Sequence, residues 1–265
     1  MKKFVSIILI AILSLSLLAA CGTGKDSDKS SSEDKAEKKV LTMGTSADYA
    51  PFEFIDTEKG DEIIGFDVEL AKAVTKKLGY ELKIVDMDFS GLIPAIQSKK
   101  VDFVLAGMST TPDREKAVDF SEIYYKPLQV IVTKKASGIK SIEDLKGKTV
   151  GVQLETIQEE KAVEIKKSVD INVENRGRIP EVVQELRTDR FDAVILEEPV
   201  AKGHMKANPE FVSFEIQDPN NQGFGIVFPK DSELTEKVNV IIQEMIDNGE
   251  MDKLIEKWLS GDIEA

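Results

Sequence analysis

Val104–Tyr125 reads VLAGMSTTPDREKAVDFSEIYY, and the rest of the chain can be organised around it. Val101, Phe103, Val104 and Leu105 form an apolar run that predicts a buried strand stopping at Ala106-Gly107. Ser109, Thr110 and Thr111 then lead into Pro112-Asp113-Arg114-Glu115, where proline and acidic residues suit the first turn of a helix. Free backbone N–H groups at a glycine turn and a helix start, several hydroxyls and one arginine thus meet at the end of a strand. That set suits an anion of carboxylate size. Taken singly, Arg114 would as readily pair with a neighbouring acid, and Ser109 would serve as a helix cap.

Upstream, Lys2-Lys3 is a basic segment, Phe4–Leu18 is apolar but short for a membrane span, and Leu18-Ala19-Ala20-Cys21 follows. This resembles a bacterial lipobox. The expectation is a signal peptide over 1–20, lipidation of Cys21 with insertion in the outer face of the cell membrane, and a flexible tether over 21–39. From Gly22 to Lys39 the residues are Ser, Lys, Asp, Glu, Gly, Thr and Ala almost throughout, a composition that buries nothing. Cys21 is the only cysteine, so lipidation would leave no thiol for a disulfide, a metal or a nucleophile. The formal charge is −13 over 265 residues, which argues against nucleic acid as a partner.

From Val40 the chain alternates short apolar strands with amphipathic helices. Strands are predicted at Val40–Gly44, Leu82–Val85, Val101–Leu105, Val130–Val132, Thr149–Val152, a run ending at Glu197, and Phe224–Phe228. Helices are predicted at Val68–Leu78, Leu92–Gln97, Gln158–Lys167, Ile179–Leu186, Leu234–Asn248 and Met251–Leu259, where Trp258 reads as a core anchor. Ile142–Gly147 reads as a short helix with a glycine stop. Asp67 stands as either the cap of the first helix or an acid of a pocket. An internal echo points to two related lobes: Ile96–Leu105 (IQSKKVDFVL) is matched by Leu186–Ile195 (LRTDRFDAVI), each a helix end, a polar turn and a strand. Lys126–Gln129 and Asp218–Gly223 are the candidate crossings. The expected lobes are therefore 40–126 with 223–265, and 127–222.

The Gly, Met, Ser, Thr, Arg pattern of Gly107–Arg114, with Val118-Asp119-Phe120-Ser121 and Tyr124-Tyr125, closely resembles the bacterial extracellular solute-binding proteins of family 3. These are receptors that deliver polar amino acids to ABC transporters. The resemblance runs from about Val40 to Leu259 and implies an α/β fold of the type II periplasmic-binding-protein kind, two lobes joined by two hinge crossings. It implies a ligand carboxylate held by Arg114, Ser109, Gly107, Thr156 and Gln158, and an α-ammonium held by Glu197, where the family more often has Asp. Tyr49 and Phe89 would wall the ligand side chain, with Asp48, Asp67 and Asp88 on loops close enough to meet a cationic one. Glu155 stands where relatives commonly have glycine, and Ser46 where some receptors of cationic ligands have Asp.

GTSADYAPFEF and VQLETIQEEKA most resemble arginine, lysine and histidine receptors of Gram-positive bacteria, so a basic L-amino acid is the expected ligand and glutamine or another polar amino acid the alternative. An ABC permease is the expected partner, the receptor itself a monomer with no cofactor and no metal. His204 is the only histidine, which leaves no Ser-His-Asp or Cys-His arrangement. Gly147-Lys148-Thr149 lacks the earlier glycine of a phosphate loop, Ile142 standing there, and Gly223-Phe224-Gly225 lacks the third glycine of a dinucleotide fingerprint, Phe228 standing there. A dehydratase on the same fold would need a proton-transfer group such as Glu197 or Asp67. A ligand sensor would need a separate signalling partner.

Overall fold

In a computed structural model, residues 39–218 and 222–260 are described. The expected signal peptide, Cys21 and the tether up to residue 38 lie outside them, as do residues 219–221 of the second crossing.

Two five-stranded sheets carry the fold. The first runs Glu81–Asp86, Val40–Thr45, Phe103–Val104, Val227–Phe228, Asp119–Phe120. The second runs Asn172–Arg176, Thr149–Gln153, Ala193–Glu197, Gln129–Lys134, Phe211–Glu215. In both, the first three strands are parallel and the fourth and fifth each run antiparallel to the preceding neighbour. Parallel strands need helical crossovers, and the amphipathic helices supply them. Ile157–Lys166, Ile179–Arg187 and Glu198–Ala207 pack on the second sheet. Phe66–Leu78, on the first, meets the C-terminal pair Glu233–Asp247 and Glu250–Leu259. Trp258 is buried there, edge-on to Phe54 at 6.1 Å.

The sequence echo has a structural counterpart. Lys99 and Asp189, matched positions of the two polar turns, both take left-handed backbone, with φ of 57° and 62°. Asp102 and Asp192, also matched, each accept a backbone N–H from the neighbouring parallel strand, from Thr42 at 2.7 Å and from Thr149 at 2.9 Å. A carboxylate thus caps the entry of the same strand in each sheet.

Several predicted elements change. The strand expected over Val101–Leu105 narrows to Phe103–Val104. The last strand narrows to Val227–Phe228, because Phe224 instead bridges Ser109 and Tyr125 across the chain. The short helix expected over Ile142–Gly147 is a single 3-10 turn, Glu143–Leu145. Asp67 does not cap the first helix, which begins at Phe66 with Gly65 as its cap. Unforeseen elements include the edge strands Asn172–Arg176 and Phe211–Glu215 and the ribbon Asp48–Tyr49, Glu53–Asp56, Glu62–Ile64. The stretch around His204 is the helix Glu198–Ala207, and partial burial there lowers the imidazole pKa.

Candidate ligand-binding site

The C-terminal ends of Val40–Thr45 and Thr149–Gln153 face a common cavity, where open α/β sheets collect their ligand loops. Space between protein atoms here, counted together with the solvent open at the cavity mouth, comes to about 420 Å³. Both sheets contribute to its wall, which includes Ser46, Asp48, Tyr49, Glu53, Phe89, Gly107, Ser109, Arg114, Gln153, Thr156, Gln158, Ile179 and Glu197.

One end of the cavity is a set of donors. Gly107 has φ of +52°, and a Cβ there would lie 3.3 Å from both Tyr49 and Phe224, so conformation and space both call for glycine. The turn at Gly107 brings Ser109 inward, and its hydroxyl is buried without a hydrogen-bond partner. Thr111 caps the short helix Pro112–Glu115 by accepting the Arg114 N–H. The Arg114 guanidinium lies 5.4 Å from the centre of the Phe89 ring and donates to the Ser109 and Glu155 carbonyls, each at 2.8 Å. Burial pulls its pKa down to about 10, which leaves it charged near neutral pH. Among the described residues, no carboxylate forms an ion pair with it. Opposite, Thr156 caps Ile157–Lys166 by accepting the Glu159 N–H, which points the start of that helix at the cavity wall. Glu155, at the position where glycine was expected, takes φ of +61° with its side chain exposed and its carbonyl toward Arg114.

Acids form the rest of the polar lining. Glu197 ends the strand Ala193–Glu197 and accepts from Gln158 Nε2 at 2.5 Å, while its other oxygen is buried without a partner. Burial raises its pKa to about 8. Asp48 is raised to about 6 by burial, against the pull of Arg178, whose guanidinium is 3.7 Å away. Glu53 is fully buried beside the cavity, and burial together with Asp67 raises its pKa well above the usual range.

The structure therefore gathers Gly107, Ser109, Arg114, Thr156, Gln158, Glu197, Tyr49, Phe89 and Asp48 at one cavity and separates two others from it. Asp67 lies behind the wall, where its Oδ2 accepts from Gly107 N–H at 2.8 Å and Tyr124 O–H at 2.9 Å. Asp88 is turned to Arg178, accepting from Nε at 2.6 Å, and Asp86 accepts from the same guanidinium at 2.9 and 3.2 Å. Arg178 thereby ties three acids of the first sheet's loops to a helix start of the second. Its position was a legible signal: a cation at the cap of Ile179–Arg187 opposes the helix dipole and calls for nearby acids. Glu53 was legible as an acid on a loop near the aromatic pair, a weak signal because an acid after Pro-Phe is widespread in the family. Among the described residues no cluster of three metal-binding side chains occurs, and no helix is long and apolar enough to cross a membrane.

Residues 41–261 match the model for bacterial extracellular solute-binding proteins, family 3. The arginine-binding extracellular protein ArtP of Bacillus subtilis is 51% identical over 99% of this chain and all of its own. An ancestral arginine-binding protein solved with arginine superposes with a TM-score of 0.79 at 42% identity, covering 84% of this chain and 99% of its own. An ancestral arginine-binding protein solved with glutamine gives 0.76 at 41%, covering 83% and 98%. With both sheets, their strand order and the cavity between them in place, the chain belongs to the bacterial extracellular solute-binding proteins of family 3.

Proposed function

We propose that this chain is the extracytoplasmic receptor of an amino-acid ABC importer and closes on an L-amino acid with a cationic side chain, arginine foremost. The observation that carries this reading is the charge inventory of the cavity. It holds one part-buried cation without an anion, Arg114, and two buried carboxyl groups without a cation, Glu197 and Glu53. A free amino acid with a basic side chain supplies the complement: one carboxylate and two cations. Arg114, Ser109 and the helix start at Thr156 take the carboxylate, Gly107 shapes the turn beneath it because its own N–H is given to Asp67, and Glu197, held by Gln158, takes the α-ammonium. Tyr49 and Phe89 flank the aliphatic stem, and Glu53 and Asp48 face its end. Asp67 acts through Glu53 and Gly107, Asp88 through Arg178.

The lobes are 40–126 with 223–265, and 127–222, and closure joins donors that neither lobe holds alone. Cys21 carries the lipid that holds the receptor to the membrane, and the permease is the partner. The function is binding, in keeping with relatives named as binding proteins. A second reading, a neutral polar ligand such as glutamine, is favoured by the engagement of Asp48 with Arg178 and by the relative solved with glutamine. Calorimetric titration of the chain from Lys39, refolded free of carried-over ligand, against the common L-amino acids separates the two. Tight binding confined to arginine, lysine, ornithine or histidine is expected; tight binding of glutamine alone would overturn the cationic reading.

A further inference from the structure

Glu53 and Asp67 are both fully buried, on the ribbon strand Glu53–Asp56 and the helix Phe66–Leu78, at the foot of the cavity wall. Asp67 Oδ2 takes both available donors, Gly107 N–H and Tyr124 O–H. Asp67 Oδ1 and both oxygens of Glu53 have no donor at all among the described residues. The backbone brings the two together, the Asp67 N–H donating to the Phe52 carbonyl next to Glu53 at 2.9 Å, and each carboxyl feels the other. The groups facing Glu53 are Asp67, Asp48 and Tyr124, none of them a cation. Arg178, the cation nearest by pairing, is taken up by Asp48, Asp86 and Asp88. Two buried carboxylates cannot face each other bare, because each lacks solvent and neither has a counter-ion. A shared proton resolves this, as in other paired buried acids.

We propose that Glu53 and Asp67 hold one proton between them in the empty receptor, and that a cationic ligand side chain entering the cavity displaces it to solvent. The inference rests on the amino-acid-receptor reading above and adds a basis for ligand choice. A cationic side chain supplies the missing counter-charge, so the O–H bond of the pair breaks and the proton leaves to buffer with no other change. A neutral side chain meets a neutral, proton-bearing Glu53 and leaves the proton in place. The pair belongs to one lobe, with its partners Gly107 and Tyr124, so its protonation does not require the cleft to be shut. Burial raises the pKa of both Asp67 and Glu53, which favours retention of a proton by the pair.

The test is calorimetry of arginine binding near pH 7 in buffers of differing ionisation enthalpy, alongside infrared difference spectra of the carboxyl stretch. In the wild-type chain, the expected result is release of about one proton from the pair per arginine, with loss of a protonated-carboxyl band. Glu53→Gln should weaken arginine and remove the pair's part of that band change, the part due to Glu197 being identified by its loss in Glu197→Gln. Arginine binding with no proton release and no loss of a carboxyl band would overturn the inference while leaving the receptor reading intact. An undiminished band change in Glu53→Gln would also overturn it. Absence of binding by wild type to any amino acid would instead remove the receptor reading, and this inference with it.

Discussion

In the function proposed above, the anion end of the cavity depends on Arg114, because among the described residues its guanidinium is the only cation lining the cavity and is paired there only with carbonyls. Arg114→Ala should weaken arginine by about 3 kcal/mol, roughly a hundredfold, as for a buried charge-assisted pair, with the thermal unfolding of the free protein little changed. Calorimetry and a melting curve on the same sample check both halves. The acids work in the opposite sense. Glu197, Asp48 and Asp67 have folded pKa values raised to about 8, 6 and 6, so between the unfolded values and these the folded chain binds more protons than the unfolded one. Stability of the free protein should therefore be greatest at acid pH within that window and fall as pH rises from about 5 to 8. Glu197→Gln should flatten the upper part of that fall, which melting curves at stepped pH would record. Glu155 holds left-handed backbone with an exposed side chain, and Glu155→Gly should relieve about 1 kcal/mol of that strain, less the added freedom of the unfolded chain. Denaturant melts of the two chains would read the difference.

At the scale of elements, the repeated turn is the best test of the echo. Asp102 and Asp192 hold matching strand ends by hydrogen bonds to Thr42 and Thr149. Asp102→Ala and Asp192→Ala should each cost about 1 kcal/mol and, lying in different sheets, should add in the double variant, as denaturant melts would show. This echo was legible because helix end, left-handed turn and buried strand each leave a local mark in the sequence. The helices over 66–78, 92–97 and 179–187 were legible for the same reason, each having an apolar face and a defined stop. The edge strands Asn172–Arg176 and Phe211–Glu215 were not, since a strand with one neighbour buries too few side chains to show an apolar run. Among the site residues, Arg114 and Ser109 could be found from a continuous stretch. Arg178 carried a signal in its place at a helix start and Glu53 in its loop, but the groups that give each its role come from distant parts of the chain.

At the scale of the whole molecule, among the described residues Arg178 and Arg114 each make a charged crossing between the sheets, and they differ in what they leave for a ligand. Arg114 ends on carbonyls, whereas Arg178 ends on Asp86, Asp88 and Asp48. Arg178→Ala should loosen the closed form without removing a ligand contact. The expected signature is an affinity about tenfold lower, appearing as faster dissociation, as for a loss of about 1.4 kcal/mol, with the ranking of ligands unchanged. Stopped-flow dissociation measured with arginine and lysine would test it, and a changed ranking would count against a purely conformational role. If the receptor opens as proposed above, the three acids have a further consequence. Once Arg178 withdraws, Asp48, Asp86 and Asp88 become an uncompensated negative rim beside the cavity mouth, able to draw basic solutes from dilute solution and repel acidic ones. The same carboxylates that fasten the shut receptor would serve the open one as a lure, and ionic strength should slow capture more than it slows release.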